Sequence, residues 1–471
     1  MVDKQNAHTR KGIFLVDASA GFRKDGPKNR LRDQDIHKIV DVCTRQLELP
    51  KFSRFVSYEE IEKNDWNLNI PRYIDSQTPE DRQDIEGHLK GGIPAADVDA
   101  PDCYLNRYWA ICPNLGQALF QPLRPGYVQL AVEKSAIKST IHGHPEFAAF
   151  IKGMNQHFAV WRDTRAAELR KLGPGSHPKE VIVSLAESLL EHYRGKPLID
   201  AYDVYQHLLD YWDATMQDDC YLIAADGWKA ETTRVIETDT KGRKKDKGWT
   251  CDLVPKSLLI ARYFAEEQAA LDGLTAELES ASARLSELEE EHGGEEGLFS
   301  EFDKVNKANV VSRLREIRGD KEALDEAAAL NEWLTLSEQE SGLKKFVKEA
   351  EAALDAEAHG HYPQLTESDI QTLVVDDKWL GALDAVIHGE MDRISQSLTQ
   401  RVKELAERYE TPLPDMVSRV ADLEASVNRH LERMGFRGIE AGLQADRGRG
   451  YSNRLGGKAD WISLVAMYVA C

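Results

Sequence analysis

Gly12-Ile-Phe-Leu-Val-Asp17 is a short apolar run that contains two β-branched residues and is followed by polar residues. The run predicts a buried strand, and residues 52–58 predict a second one. A polar loop over residues 21–30 and a helix that begins near Asp33 are predicted between them. The helix carries these apolar residues on one face: Ile36, Ile39, Val40 and Cys43. Because a buried strand needs neighbours with which to pair, residues 1–75 are predicted to be the end of a sheet domain.

The next part of the chain changes from a helical pattern to a strand pattern. Residues 76–220 contain long stretches of helical apolar periodicity and are predicted to form a helical region. Residues 221–255 are predicted to form a small β-hairpin unit with a basic turn. Its predicted strands are Tyr221-Leu-Ile-Ala224, Thr233-Arg-Val-Ile-Glu-Thr238 and Trp249-Thr-Cys-Asp-Leu253.

Residues 256–360 have the pattern of a long helical arm. Apolar residues recur at spacings of 7, 3, 4, 7 and 3, which are typical of a coiled-coil seam. They are Phe264, Leu271, Leu274, Leu278, Leu285 and Leu288. Glycines within residues 293–297 interrupt the helix, and helical patterns resume at 305–317 and 324–354, so an antiparallel coiled-coil arm is predicted. Residues 266–360 hold 25 acidic and 10 basic side chains, which is typical of a solvated surface.

Residues 361–436 are predicted to form C-terminal helices with narrow apolar seams. The first seam consists of Leu398, Val402, Leu405 and Tyr409. The second follows the Pro412-Leu-Pro414 break and consists of Met416, Val420, Leu423, Val427 and Leu431. Helices of this kind bury the seam against a partner, either the arm or another subunit. Residues 437–471 lose the periodicity and become rich in Gly and Arg. They are predicted to be a disordered tail whose composition is atypical of the rest of the chain.

The overall composition argues against several classes of protein. The chain has 471 residues, 60 of them Lys or Arg and 80 Asp or Glu, which gives a formal net charge of −20. This balance argues against a protein that coats nucleic acid or an anionic membrane through its overall charge. No apolar run reaches the length of a membrane span, and the residues after Met1 lack the apolar region of a secretory signal. The six scattered cysteines form no C-x-x-C pair, so a reducing cytoplasm is expected.

A dense basic cluster lies in the turn of the predicted hairpin. It consists of Lys241, Arg243, Lys244, Lys245 and Lys247. Five cations in seven residues could neutralise several phosphates, so this turn is a candidate phosphate contact with salt-dependent binding. A turn that only increases solubility has the same composition, and both interpretations stay open.

A second pattern near the hairpin bears on metal chemistry. Asp226 together with Asp239-Thr-Lys241 resembles the acidic–acidic-x-Lys pattern of metal-dependent nucleases, in which carboxylates hold Mg²⁺ and the lysine steadies the attacking water. An ordinary charged hairpin can contain the same residues by chance, and we expect an ordinary hairpin rather than a nuclease site. The sequence offers no specific nucleophilic triad, no Walker loop and no G-x-G-x-x-G after a strand.

Two His-Gly-His triplets are the remaining candidates for metal ligands. They are His142/His144 and His359/His361. On a strand, residues i and i+2 share a face and could bind one metal. Both triplets are predicted to lie in loops that flank helices, with no acidic or cysteine ligand at a matching spacing. We therefore expect capping or loop histidines, and no metal site is assigned.

Four blocks of the N-terminal segment occur in the order and at the spacing of a known family. They are Ile13-Phe-Leu-Val-Asp-Ala-Ser19, Leu31-Arg-Asp-Gln-Asp-Ile-His-Lys-Ile-Val40, Phe55-Val-Ser-Tyr-Glu-Glu-Ile61 and Asn64-Asp-Trp-Asn-Leu-Asn-Ile-Pro-Arg-Tyr73. These blocks resemble the modification subunit of type I restriction–modification systems, which is an adenine-N6 DNA methyltransferase. The helical remainder up to about Phe436 resembles the C-terminal half of the larger members of that family.

The resemblance also implies which functional residues this sequence lacks. In the family, a Gly-rich loop holds S-adenosylmethionine and an Asn/Asp-Pro-Pro-aromatic loop holds the flipped adenine. Both loops precede the strand that corresponds to Ile13, and the sequence contains neither. Leu172-Gly-Pro-Gly-Ser176 lies between predicted helices and cannot replace the first loop. The chain is therefore expected to be the C-terminal part of a subunit, with no catalytic or cofactor-binding residue and no methylation activity alone.

The predicted fold class is α+β and predominantly helical. It combines the remnant edge of an α/β methyltransferase-like domain with a helical region, a small β-hairpin unit and a long antiparallel coiled-coil arm. The resemblance implies four partners: the specificity subunit, the restriction subunit, DNA within the complex, and the missing N-terminal methyltransferase half. S-adenosylmethionine is implied as a cofactor of the complete subunit and is not expected to bind this chain alone. Residues 76–436 would dock on the specificity subunit and help to enclose DNA. A membrane is not an expected partner.

Two alternatives belong to other classes of function. A helical coiled-coil scaffold without a nucleic-acid role predicts stable self-association and no salt-dependent DNA binding. A Mg²⁺-dependent nuclease predicts cleavage that Asp239→Ala abolishes.

Overall fold

The computed structural model describes residues 9–76, 83–101, 103–238, 244–293, 297, 299, 302, 305–320 and 323–434. Within these residues the protein is predominantly helical and has small antiparallel sheets, as predicted. The described residues form two compact units. The first lies within Met1–Glu80, Arg107–Leu115 and Lys138–Thr399, and the second within Asp81–Asn106, Gly116–Ile137 and Gln400–Cys471. None of the helices in the described ranges is long and apolar enough to span a membrane.

Short strands and helices occupy the first 130 residues, and longer helices follow. The strands are β1 (Gly12–Val16), β2 (Arg23–Asp25), β3 (Lys28–Arg30), β4 (Ser53–Ser57), β5 (Ile93–Pro94), β6 (Phe120–Arg124), β7 (Tyr127–Leu130), β8 (Thr233–Thr238) and β9 (Lys244–Thr250). The helices are α1 (Asp33–Arg45), α2 (Tyr58–Lys63), α3 (Ile85–Lys90), α4 (Ala95–Asp99), α5 (Asn106–Trp109), α6 (Leu115–Leu119), α7 (Ile137–Gly143), α8 (Pro145–Leu169), α9 (Pro178–Tyr193), α10 (Ala201–Tyr211), α11 (Gln217–Asp226), α12 (Lys256–Tyr263), α13 (Ala265–His292), α14 (Lys307–Glu316), α15 (Leu324–His361), α16 (Glu367–Gln371), α17 (Gly381–Arg408) and α18 (Leu413–Arg433). Two π-helical segments, Trp212–Met216 and Thr372–Leu380, directly precede α11 and α17.

The two strands predicted near the N-terminus pair with each other. β1 and β4 run antiparallel, from Gly12 opposite Ser57 to Val16 opposite Ser53, which confirms both strands. Within the described residues this sheet has only these two strands. One small apolar cluster supports it, formed by Ile13, Leu15, Val56, Ile61, Ile70, Tyr73 and Ile74. A two-stranded sheet is marginally stable in water unless other elements pack against it.

The segment predicted as a polar loop, residues 21–30, contains a second hairpin. β2 and β3 pair from Arg23 opposite Arg30 to Asp25 opposite Lys28. The prediction of a loop is wrong here because strands of three polar residues show no apolar alternation. Their pairing instead follows from Gly26, whose positive φ of 59° permits the tight turn between them.

Helix α1 begins at the predicted residue but presents the opposite face to the protein. Its predicted apolar face is largely exposed, with Ile36 49% and Val40 54% accessible. The side chains that it buries are Gln34, Asp35, Asp41 and Val42. The apolar residues that share one face in the sequence are therefore not the face that α1 buries. The polar face is the buried one because its groups find hydrogen-bond partners on α10 and at Arg194, the residue after α9, as described below.

A β-hairpin is present in the predicted unit, but its strands differ from the predicted ones. β9 begins at Lys244, inside the predicted basic turn, and ends at Thr250, so residues 251–253 of the last predicted strand are not part of it. β8 and β9 pair antiparallel, with Thr233 opposite Thr250. Tyr221-Leu-Ile-Ala224 is not a strand, because it lies inside α11. Four apolar residues are too few to separate the two periodicities, and the preceding helix continues through them.

The arm consists of α13 and α15 lying antiparallel, with α14 packed on α15. Ser282 donates a 2.7 Å hydrogen bond to Glu340, and Arg284 donates one of 3.1 Å to Glu332, so residue numbers rise along α13 as they fall along α15. All six predicted seam residues, Phe264 just before α13 and five within it, are buried or half-buried. Toward the end of the arm, one cluster contains the buried residues Leu288, Phe299, Val310, Ala329, Leu330 and Trp333.

The second unit is small and contains a three-stranded antiparallel sheet in the order β5-β7-β6. In this unit the hydroxyl of Tyr409 accepts a 3.3 Å hydrogen bond from the backbone N–H of Asp84, just before α3. Helix α18 contacts α3. The tail predicted to be disordered, residues 437–471, lies outside the described residues.

Candidate interaction surfaces

The N-terminal segment is fixed to the helical region through the polar face of α1. The backbone N–H of Gln34 donates a 2.9 Å hydrogen bond to the side chain of Gln206, and the Gln34 side chain donates one of 2.8 Å to Asp203. Two turns further along α1, the Asp41 carboxylate accepts a 2.7 Å hydrogen bond from the hydroxyl of Tyr202. These contacts satisfy the buried polar groups that would otherwise make this orientation of α1 costly.

Electrostatics at this interface favour the ionised form of Asp41. Burial opposes ionisation, but hydrogen bonds from Tyr202 and Arg194 outweigh it and lower the pKa of Asp41. The guanidinium of Arg194 lies 3.0 Å from the carboxylate, and that of Arg45 lies 2.8 Å from it. Burial and the neighbouring Asp41 raise the pKa of the Tyr202 hydroxyl to about 12. The hydroxyl therefore stays protonated and continues to donate at neutral pH.

The basic turn that the sequence identified lies partly outside the described residues. Lys241 and Arg243 are in that part, as is Asp239. Lys244 and Lys245 lie on β9, where both are exposed. Lys247 is also exposed, and its ammonium lies 3.0 Å from the Glu237 carboxylate.

The hairpin that carries this turn is anchored at one end and exposed along the rest. All six residues of β8 are exposed. At the base, the indole N–H of Trp249 donates a 3.0 Å hydrogen bond to Asp355 of α15, and its ring meets that of Tyr362 edge to face at 5.1 Å. Lys256 forms an ion pair with the same Asp355 carboxylate. The described part of the hairpin thus presents cations on an anchored ribbon.

The other sequence candidates do not converge on a site. His142 lies in α7, His144 directly before α8, and the second His-Gly-His triplet lies within α15, so the predicted loop placement is wrong except for His144. The Nε2 atom of His142 is 2.8 Å from the Ser395 hydroxyl. Asp226 is the last residue of α11, and its proposed partners Asp239 and Lys241 are outside the described residues. In the part of the chain that the structure describes, no three His, Cys, Asp or Glu side chains group as metal ligands could.

Helix α18 is the most unusual surface of the described protein. It is 21 residues long, and none of its residues is buried. The predicted seam lies along it, with Val420 55% and Leu423 62% accessible. Its exposed large apolar side chains are Leu413, Met416, Val417, Val420, Leu423, Val427 and Leu431.

The preceding helix shows that the same pattern can be buried. Leu398, Val402, Leu405 and Tyr409 are the seam of α17 and the residue just after it, and all four are buried. The two seams therefore differ in environment and not in residue type. Sequence periodicity locates both, but only the structure identifies α18 as the one that is uncovered.

Comparison with known proteins gives a match at the N-terminal end. Residues 1–82 match the N-6 DNA Methylase family. The chain is 39% identical over 90 residues to the type I restriction enzyme MjaVII methylase subunit of Methanocaldococcus jannaschii. The aligned stretch covers 18% of this chain and 15% of that protein. It is 29% identical over 86 residues to the type I restriction enzyme MpnII methylase subunit of Mycoplasma pneumoniae. This aligned stretch covers 18% of this chain and 16% of that protein.

These matches are confined to a small part of each relative. No solved structure shows significant similarity to the chain. The matched segment contains β1 to β4 with α1 and α2, which are the elements that carry the four blocks. In its N-terminal segment, this protein is similar to the methylase subunits of type I restriction enzymes.

Proposed function

We propose that this protein is an assembly module of a type I DNA-modification complex, and that α18 docks it on the specificity subunit. The uncovered seam of α18 carries the proposal. The similarity of residues 1–82 to methylase subunits supports the type of complex. The arm of α13 and α15 is proposed to be a coiled coil that helps to enclose DNA, and the restriction subunit is proposed as a further partner.

The physical argument for docking is the cost of leaving α18 uncovered. Most helical stability in proteins comes from packing of an apolar face, and an isolated helix of this length has little stability of its own. The seam spacing of 3 and 4 is suited to a partner helix, whose side chains would interdigitate with it. Each apolar side chain that is half exposed gains about 1 kcal/mol when it is covered. A helical partner is therefore favoured over a flat surface.

The proposal does not assign catalysis to this chain alone. The sequence lacks the Gly-rich loop and the Asn/Asp-Pro-Pro-aromatic loop that hold S-adenosylmethionine and adenine in the family it resembles. We propose that an N-terminal methyltransferase half, on the same or a separate polypeptide, provides both. The outward apolar face of α1 and the two-stranded β1–β4 sheet offer it a surface to complete.

Capture by the specificity subunit tests the proposal. The specificity subunit is immobilised, and the full chain is added with and without the N-terminal half. Val420→Glu/Leu423→Glu places two charges in the seam and is expected to weaken capture at least 100-fold. Ser418→Glu/Ala425→Glu adds the same charge to the opposite face of α18 and is the matched control. We expect it to be captured as well as the wild type.

The outcomes separate the alternatives. Capture without the N-terminal half means that the helices dock on their own, and capture only with it means that the sheet domain must be completed first. Failure under both conditions contradicts the proposal. If, in addition, the wild type self-associates through the seam and binds no DNA in a salt-dependent way, the helical scaffold is the better interpretation.

A further inference from the structure

The β2–β3 hairpin is a cationic projection in an anionic protein. Residues 22–32 contain five basic side chains and one acidic one, whereas the whole chain has a net charge of −20. Every residue from Arg23 to Arg30 is exposed. The basic residues are not explained by the fold of the segment, since only Arg32 is used to cap α1. Exposed cations on a projecting ribbon are typical of a surface that meets an anion.

The base of the hairpin is fixed to the start of α1. Arg32 forms two hydrogen bonds to the Asp35 carboxylate, of 2.9 and 3.0 Å. The same carboxylate lies against Gly21 on the other side of the hairpin, where an added Cβ would come within 2.7 Å of its oxygen. Asp35 thus contacts both ends of the hairpin. The ribbon is held in one place, so its side chains are presented in a fixed direction.

The strand register sorts the cations by face. Directly opposed residues share a face, as do residues two apart on one strand. Arg23 is opposite Arg30, and Asp25 is opposite Lys28, so these four residues lie on one face. Lys24 and Asn29 are opposite each other on the second face, where Lys24 donates a 2.8 Å hydrogen bond to Asn29. We name the first the arginine face, defined by Arg23, Lys28 and Arg30 together with Asp25.

The arginine face has unbalanced positive charge. Asp25 lies 2.8 Å from Arg30, which neutralises one of the three cations. Like charges directly opposite each other on neighbouring strands are unfavourable, and Arg23 and Arg30 have that relation. An anion placed between them would relieve the repulsion and use the forked donors of both guanidiniums. The ion pair with Asp25 is exposed, so it costs little to exchange for such an anion.

We propose that the arginine face of the β2–β3 hairpin contacts the phosphate backbone of duplex DNA. This inference rests on the proposed function, which places this segment in a complex that acts on DNA. Arginine and lysine contacts to phosphates fix the position of a protein on a duplex and carry no sequence information. The hairpin therefore positions the duplex and does not read its sequence.

The experiment measures binding of the full chain to a fluorescent duplex of about 20 base pairs at several salt concentrations. Lys28→Glu changes the arginine face, and Lys24→Glu makes the identical charge change on the opposite face. We expect Lys28→Glu to weaken binding roughly tenfold and Lys24→Glu to change it by less than about threefold. Arg23→Glu/Lys28→Glu should also reduce the slope of log affinity against log salt by about 2, because each phosphate contact contributes about 0.9.

Two further variants test whether net charge alone, or the other basic hairpin, accounts for the duplex binding. Lys152→Glu/Lys179→Glu, at exposed positions of α8 and α9, makes the same net charge change as Arg23→Glu/Lys28→Glu and should have little effect. Lys244→Glu/Lys245→Glu tests the β8–β9 hairpin. The inference is overturned if Lys24→Glu or the α8/α9 variant weakens binding as much as its counterpart, if only the β8–β9 variant does so, or if the wild type does not bind the duplex.

The result can be separated from the docking proposal. Binding to the duplex tests Lys28, whereas capture by the specificity subunit tests α18. Capture of Lys28→Glu by the specificity subunit should therefore equal that of the wild type. If the wild type is not captured but its duplex binding still depends on the arginine face, the docking proposal fails and the hairpin inference stands. If capture succeeds and duplex binding does not depend on this face, only the hairpin inference fails.

Discussion

The hydroxyl of Tyr202 in α10 donates a 2.7 Å hydrogen bond to the carboxylate of Asp41 in α1, and both side chains are buried. This pair fixes the methylase-like segment to the helical region through the polar side of its first helix. As a consequence, the apolar residues Ile36 and Val40 of that helix are left accessible. The segment is thus bound firmly on one side and open on the other.

Asp41→Asn is expected to loosen this attachment. The substitution removes the buried charge that balances Arg194 and Arg45, and the half-buried guanidinium of Arg194 loses one of its ion pairs. We expect the free energy of unfolding to fall by about 1–3 kcal/mol, measured by urea denaturation with circular dichroism. Asp33→Asn on the exposed side of α1 is the control, with an expected effect below about 1 kcal/mol. Equal effects for the two would contradict the role given to the Asp41 contact.

The contact between α10 and α17 is expected to weaken in acid through Glu390. A hydrogen bond with His207 at 2.9 Å, together with Arg393, lowers the pKa of Glu390 from its usual 4.5 to about 2. Because the folded-state pKa is the lower one, the stabilisation is fully present above pH 4.5 and is lost as pH falls toward 2. Its size at neutral pH is on the order of 2–3 kcal/mol.

The measurement compares the wild type with Glu390→Gln by urea denaturation between pH 7 and pH 3. The wild type should be more stable at pH 7, and the difference should shrink as pH falls below 4.5. A difference that is constant over this range would mean that ionisation of Glu390 does not contribute.

Gly12→Ala is expected to disrupt pairing of β1 with β4. An added Cβ would lie 2.1 Å from the carbonyl oxygen of Val56 and 2.8 Å from the ring of Phe55, so the strands would have to move apart. We expect a loss of about 2 kcal/mol or more and faster proteolysis of the N-terminal segment. Gly153→Ala in α8, where an added Cβ meets open space, should be neutral or slightly stabilising. Unchanged proteolysis of Gly12→Ala would refute the close strand contact.

Leu330→Ala tests the packing near the end of the arm. Leu330 is fully buried in the cluster that joins α13, α14 and α15, so its truncation leaves a cavity that costs about 2–4 kcal/mol. Hydrogen exchange should become faster in α14 and in the first turns of α15. Phe346→Ala on the exposed side of α15 is the control and should leave exchange unchanged. Similar exchange in both variants would contradict the packing described here.

The limits of sequence reasoning are clearest at α1 and α18. Periodicity locates α1 but does not show which face is buried, because hydrogen bonds with Gln206 and Tyr202 decide this, and these residues are more than 160 positions away. Periodicity also finds the seams of α17 and α18 alike. It cannot tell that only the first is covered, since burial depends on the neighbouring elements and not on the seam itself.

The basic surfaces show a second limit. Charge density identifies the turn near Lys244, and the structure confirms the hairpin that carries it. The same criterion missed the β2–β3 hairpin, because its cations are spaced by Gly, Pro and Asn and lie within an apparent loop. The strand register, which brings Arg23 opposite Arg30, is what makes this surface visible.

Docking of α18 on the specificity subunit can be followed at the level of single peptides by hydrogen–deuterium exchange. Exchange of the full chain is followed by mass spectrometry with and without the specificity subunit. We expect peptides within residues 413–434 to be strongly protected in the complex and peptides from the arm to change little. A stable complex in which exchange of residues 413–434 is unchanged would contradict it.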